Sequence, residues 1–149
     1  LHGVDLSGKK IRLAKETVGT IYPALSFETK DAAAIQGFSG NIVGLDLLHY
    51  FSEQGRDHLL ENLASFLPAG GRLYLRNGVR DAGFLRHCAT SVEEAFVRGS
   101  RWITGGEWNF PTRAAVEKKL ESLGLQVVSV PMWGNTPFSS YLFIAGRKK

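Results

Sequence analysis

The chain has 149 residues, 44% hydrophobic and 21% charged, with a formal net charge of +4. That length and mix fit one globular domain, residues 1–149, with a sizeable core, and exclude a disordered or disulfide-stapled chain. One cysteine, Cys88, cannot form an internal disulfide, and His2, His49, His58 and His87 show no ligand spacing, so no metal site is expected.

No apolar run approaches the roughly 18 residues of a membrane span. No signal-peptide pattern is present, and the lone cysteine fits a reducing compartment, so a cytoplasmic protein is expected. The first residue is Leu1, inside a strand-like run, which predicts a trimmed piece of a longer chain. Arg72, Arg76, Arg80, Arg86, Arg98 and Arg101 crowd into one stretch. That excess fits either an anionic partner or a solvated basic face.

In chain order, residues 1–6 read as a short strand carrying Asp5 near its end. Ser7 can cap a helix over 8–18, with Ile11, Ala14 and Val18 on one face. Residues 24–27 form a weak strand, followed by a loop with Asp31. Residues 41–48 are an apolar run holding one acid, Asp46, as suits a strand buried on both faces. Ser52 can cap the next helix, whose buried stripe is Leu59, Leu63 and Phe66, and Pro68-Ala69-Gly70-Gly71 ends it.

Residues 72–76 alternate polar and apolar and form a strand. Residues 78–110 are the least regular part, with a helix expected near 91–97. Thr112 can cap a helix presenting Val116, Leu120 and Leu123, and Gly124 stands where a C-terminal glycine belongs. The last strands are 125–130 and 140–145.

Strands alternating with helices predict an α/β fold with a mostly parallel sheet. Only about nine residues separate Val130 from Ser140, two of them prolines. A parallel crossover needs a dozen or more, so the last strand is expected to run antiparallel.

Several segments resemble class I, S-adenosylmethionine-dependent methyltransferases. Val4-Asp5-Leu6-Ser7 with Lys10 resembles the family's second strand and the turn after it. Lys30-Asp31-Ala32 resembles the acid and small residue that meet the adenine. Leu45-Asp46-Leu47-Leu48-His49-Tyr50-Phe51 resembles the fourth strand, and Leu67-Pro68-Ala69-Gly70-Gly71-Arg72-Leu73 the approach to the fifth. The resemblance implies a Rossmann-like methyltransferase sheet covering nearly the whole chain. The family's first strand and glycine-rich loop lie about twenty residues before that ribose-binding acid. Four residues precede Asp5, so the expected sheet lacks its N-terminal strand. That strand sits mid-sheet, so unpaired edges favouring a homodimer are also expected.

The resemblance implies S-adenosyl-L-methionine as cofactor, with Asp5 and Leu6 at the ribose, Asp31 and Ala32 at the adenine, and Asp46 beside the methionine moiety. A carboxylate at a strand's carboxyl end suits two hydroxyls, with an acid capping the next helix as the less favoured alternative for Asp5. His49 is the candidate catalytic base because imidazole titrates near neutrality; a histidine merely satisfying a helix start is the alternative. Arg76, Trp108 and Trp133 are the candidate substrate residues, the arginine for an anionic group and the tryptophans for a lid. The segment from Trp133 to Leu142 faintly resembles methyltransferases of bacterial lipid or pigment gene clusters, which hints at a small-molecule or carrier-bound acceptor. Two other readings stand beside this one. An NAD(P)-dependent oxidoreductase also places an acid after its second strand. A non-catalytic interaction module could use the basic stretch, but no nucleic-acid motif accompanies it.

Overall fold

The computed structural model describes residues 1–81, 109–136 and 138–147. The chain forms two compact units, Leu1–Phe38 and Ser39–Lys149, each described by itself. No helix among the described residues is long and apolar enough to cross a membrane.

The first unit holds β1 (His2–Asp5), α1 (Gly8–Glu16), α2 (Val18–Ile21) and β2 (Ser26–Thr29), then a short 3-10 turn, Ala32–Ala34. β1 and β2 pair in parallel, with Asp5 opposite Thr29. The Ser7 hydroxyl accepts the Lys10 N–H at 3.4 Å and caps α1 as expected. The helix stops two residues short of the predicted end. The Thr17 hydroxyl turns back to donate to the Leu13 carbonyl at 2.7 Å, and a separate short helix begins at Val18. Of the expected buried face, Ile11 is buried, Ala14 half-buried and Val18 exposed. β2 begins two residues later than residue 24 because the Leu25 N–H donates to the Tyr22 carbonyl at 2.9 Å, closing a turn first.

The second unit holds β3 (Ile42–Leu45), α3 (Glu53–Ser65), β4 (Arg72–Gly78), α4 (Arg113–Ser122), β5 (Gln126–Pro131) and β6 (Ser140–Gly146). Its sheet has the order β3-β4-β6-β5. β3 is parallel to β4, whereas β6 runs antiparallel to both β4 and β5, so the final strand reverses as its short connection requires. The β4–β6 register sets Leu73 opposite Ala145, Leu75 opposite Phe143 and Asn77 opposite Tyr141. Directly opposed residues share a face. Leu73, Leu75, Asn77, Phe143 and Ala145 are each at most 1% exposed on it. Leu59, Leu60 and Leu63 of α3 and Val116 and Leu120 of α4 complete the core. α4 lies on this face, since the Ser129 hydroxyl, opposite Phe143, is hydrogen-bonded to Glu117 of that helix.

Two expectations for the strand at 41–48 are corrected. The strand ends at Leu45, because Asp46 takes a left-handed backbone (φ 52°) and residues Leu48–Tyr50 turn into a 3-10 helix. Nor is it buried on both faces: Gly44 is buried, but Val43 is 64% and Leu45 62% exposed. The sheet's buried layer lies on the other face, with Gly44, Leu75 and α4.

Punctuation elsewhere follows the sequence. The Gly71 N–H donates to the Pro68 carbonyl at 2.8 Å, and a Cβ on Gly71 would lie 2.9 Å from that oxygen. Gly124 carries φ 77° directly after α4, as its place predicted. Phe66, expected on the buried stripe of α3, is half-buried, and Leu67 fills the core beside it. The expected helix at 91–97 lies outside the described residues.

Phe143, fully buried opposite Leu75, anchors two strands. Phe143→Ala should therefore destabilise the protein by about 3–5 kcal/mol. A urea titration followed by far-UV circular dichroism measures this, and a loss under about 1 kcal/mol would contradict the packing described.

Candidate functional site

In the first unit, parallel pairing puts both candidate acids at the carboxyl end of the two-stranded sheet. Asp5 closes β1, and its carbonyl accepts the Lys30 N–H at 3.1 Å, which sets Asp31 just beyond β2. Asp5 Oδ1 accepts the Ser7 N–H at 2.7 Å, and Oδ2 faces the Lys10 ammonium at 3.5 Å. The side chain is 38% exposed, so the Lys10 pair adds little to stability. Asp31 Oδ1 accepts the Ala33 N–H at 2.9 Å and caps the 3-10 turn. Ala32 is half-buried, and Leu6 is 71% exposed. Both acids thus organise their own turns, Asp5 on a part-exposed side chain whose Oδ2 faces Lys10 and Asp31 on an exposed one.

In the second unit, β3 and β4 end together. The Asp46 N–H donates to the Arg76 carbonyl at 2.8 Å. The two side chains also form an ion pair, with Arg76 Nε 3.3 Å from Asp46 Oδ1 and a shorter contact from the terminal nitrogen to Oδ2. Hydrogen bonding to Asp46 raises the Arg76 guanidinium above its ordinary value. The arginine proposed for an anionic substrate group therefore already has an internal counter-charge. The pair also holds Asp46 in its left-handed conformation, which an aspartate tolerates better than a branched residue.

His49 lies one turn further on and is only 6% exposed. Its ring stacks on Phe110 at 4.9 Å and tilts against Tyr50 at 4.2 Å. Its carbonyl accepts the Asn109 N–H at 3.0 Å, and the Asn109 carbonyl accepts from the buried Arg56 guanidinium at 2.6 Å. Burial pushes the His49 imidazole below its ordinary 6.5, with the polar Asn77 side chain and the Asp46 charge acting against that shift. The ring is accordingly neutral at pH 7, the form that accepts a proton. Trp133 meets Tyr141 edge-on at 4.9 Å, and the Arg113 guanidinium lies 5.7 Å from the Tyr141 ring centre. Trp108 lies outside the described residues.

Sequence reasoning passed over Asn77, Asn109, Phe110 and Arg56. Asn77 carried a usable signal: it falls in phase with Leu73 and Leu75, so a strand of period two places its amide inside. Arg56, Asn109 and Phe110 converge from sequence-distant segments and gave no local sign. Among the described residues, no three or more His, Cys, Asp or Glu side chains group as metal ligands.

An α/β sheet closed by a reversed strand, with acids at strand carboxyl ends, matches solved structures over its whole length. Magnesium protoporphyrin IX methyltransferase from Synechocystis PCC 6803 with bound SAH superposes with a TM-score of 0.72 at 18% identity, over 99% of this chain and 63% of that one. The chain has the class I methyltransferase fold. An O-methyltransferase family protein from Burkholderia thailandensis matches over 99% of this chain and 43% of its own, at 16% identity and a TM-score of 0.71. The N-methyltransferase NodS from Bradyrhizobium japonicum WM9 gives a TM-score of 0.67 at 16% identity, over 100% of this chain and 74% of its own. This chain thus spans between two fifths and three quarters of those three proteins' lengths. No protein-family model matches the sequence, and no curated protein matches it.

Two predictions test this geometry. Asp46→Val should destabilise the protein by about 1–3 kcal/mol more than Asp46→Gly, because the branched side chain is strained at positive φ while glycine is not. Urea midpoints of the two variants give the difference, and equal midpoints would show that the turn is not held as described. The depressed His49 pKa sets a pH window. Below about 6.5 the unfolded chain binds a proton that the folded chain refuses, so this residue's stabilising contribution, present above 6.5, is lost as pH falls toward the folded value. Folding stability should drop by up to about 1.4 kcal/mol per pH unit in that window. The drop should be smaller in His49→Gln, as paired denaturation curves at pH 7.5 and 5.5 would reveal.

Proposed function

We propose that the protein is an S-adenosylmethionine-dependent methyltransferase acting on a small-molecule or carrier-bound acceptor. The observation that carries this reading is the pair of carboxylates at the carboxyl end of β1 and β2, in a chain with the methyltransferase fold. Neighbours of that fold were solved with SAM or SAH bound.

The residues present fit a nucleoside. Asp5 Oδ2, loosely paired with Lys10 on a part-exposed side chain, can accept from vicinal ribose hydroxyls, while Oδ1 stays fixed by the Ser7 N–H. That second bond orients the carboxylate and lowers the entropy lost on binding. Leu6 offers an exposed apolar surface beside it. Asp31 can accept from the adenine amino group, and Ala32 leaves room for the ring.

The cofactor, when bound, supplies an activated methyl group on a sulfonium. The protein then has to align the acceptor with that methyl, which can be worth roughly 7–11 kcal/mol. His49 takes the acceptor's proton where the nucleophile is not already ionised, a contribution of about 10²–10⁴-fold. Its burial among Tyr50 and Phe110 keeps water from competing for the imidazole. Trp133, against Tyr141, offers an aromatic surface to an acceptor. Arg76 stays with Asp46 and shapes the strand end.

The deciding experiment is calorimetric titration of S-adenosylhomocysteine into the protein and its Asp5→Ala variant. Asp5→Ala should weaken binding by about 10–100-fold, as expected for one charge-assisted hydrogen bond. Binding indifferent to Asp5 would remove the ribose assignment. Absence of binding would favour a non-catalytic interaction module.

A further inference from the structure

Arg56 lies in the first turn of α3 and is only 8% exposed. A buried guanidinium carries a full charge and a fork of N–H donors, so it needs partners. Among the described residues it makes no ion pair; Nη1 donates instead to the Asn109 carbonyl at 2.6 Å. Asn109 is gripped a second time, because its N–H donates to the His49 carbonyl at 3.0 Å. One residue is therefore bracketed by His49 and Arg56, on either side of the start of α3. The next side chain, Phe110, stacks on the His49 imidazole, with 4.9 Å between ring centres and 25° between planes.

We propose that Arg56 is a positioning residue: its buried bond to the Asn109 carbonyl holds Phe110 against His49 and so fixes the plane of the imidazole. The proposal rests on the methyltransferase reading for what that ring then does.

Phe110 is also seated on the end of β4, since a Cβ added to Gly78 would lie 2.9 Å from its ring. The Arg80 N–H donates to the Pro111 carbonyl at 3.1 Å, and Pro111 is fully buried. These contacts seat the segment along β4, whereas Arg56 ties it to α3, the helix that follows the His49 turn. A hydrogen bond from a charged donor is roughly twice as strong as a neutral one, so Arg56 contributes more to this grip than the backbone bond beside it. The plane matters because an imidazole takes a proton along the lone pair in its own plane, from a donor within roughly 2.6–3.2 Å. A tilted ring turns that line away from the acceptor. An arginine kept only for stability would be replaceable by an apolar side chain of similar volume without moving the ring.

The test is NMR spectroscopy of the His49 ring protons in the wild-type protein, Arg56→Met, Arg56→Gln and Leu63→Val. The wild type should show a cross-peak between the Phe110 and His49 rings, and imidazole protons moved upfield by the stacked phenyl group. Arg56→Met keeps the apolar stem and loses the donor, so both signatures should fall by more than half. Arg56→Gln is too short to reach Asn109 and should do the same. Leu63→Val weakens the core further along the same helix and should leave both signatures at their wild-type values.

Signatures unchanged in either Arg56 variant, or lost equally in Leu63→Val, would overturn the proposal. If neither Arg56 variant folds, the wild type decides. Resolved, slowly exchanging Nη protons on Arg56 support the bond, and the averaged signal of a freely rotating guanidinium overturns it. These spectra need neither cofactor nor acceptor. If they come out as expected and the protein never binds S-adenosylhomocysteine, the methyltransferase reading falls and the brace on His49 stands.

Discussion

Strand β4 lies between β3 and β6, and its alternation governs the second unit. Leu73, Leu75 and Asn77 point into the core, while Arg72, Tyr74 and Arg76 take the other face. The parallel partner β3 delivers Asp46 to Arg76, and the antiparallel partner β6 delivers Phe143 and Ala145 to the core. A slip of one residue would bury Arg76 and expose Leu75, so the hydrophobic pattern itself fixes the register. Packing and site geometry therefore rest on the same seven residues.

The two units use charge differently. At the carboxyl end of β1 and β2, Asp5 and Asp31 organise turns through backbone N–H groups. At the end of β3 and β4, Asp46 and Arg76 neutralise one another at a half-exposed position, where water screens the pair and its stabilising effect is small. The buried His49 next to them is held neutral by desolvation. A neutral imidazole between aromatic rings has the properties of a base, whereas the paired arginine has lost much of its attraction for an anion.

Ile42–Leu45 contains neither charge nor proline, the devices that commonly guard a sheet edge. Its sequence has the apolar character of an interior strand, yet it stands at the end of the order β3-β4-β6-β5. Val43 and Leu45 are exposed on the face away from the buried layer of Gly44 and Leu75. The neighbours of the same fold are longer proteins, and this chain covers 63% of the Synechocystis methyltransferase.

Local chemistry was sufficient for much of the fold. Ser7, Ser52 and Thr112 cap their helices through side-chain oxygens, Gly124 ends α4 at positive φ, and the short link before Ser140 forces an antiparallel return. Each depends on residues a few positions apart, so the sequence carries it directly. It also placed Asp5 and Asp31 at strand ends. It did not reveal the break at Thr17, the left-handed Asp46 or the one-sided burial of β3, because those depend on a hydroxyl's choice of carbonyl, an arginine thirty residues away, and which face the helices cover. The setting of His49 was least legible of all. Asn77, Phe110 and Arg56 reach it from separate segments, and only the packed sheet and helices bring their side chains within hydrogen-bonding or stacking distance of that segment.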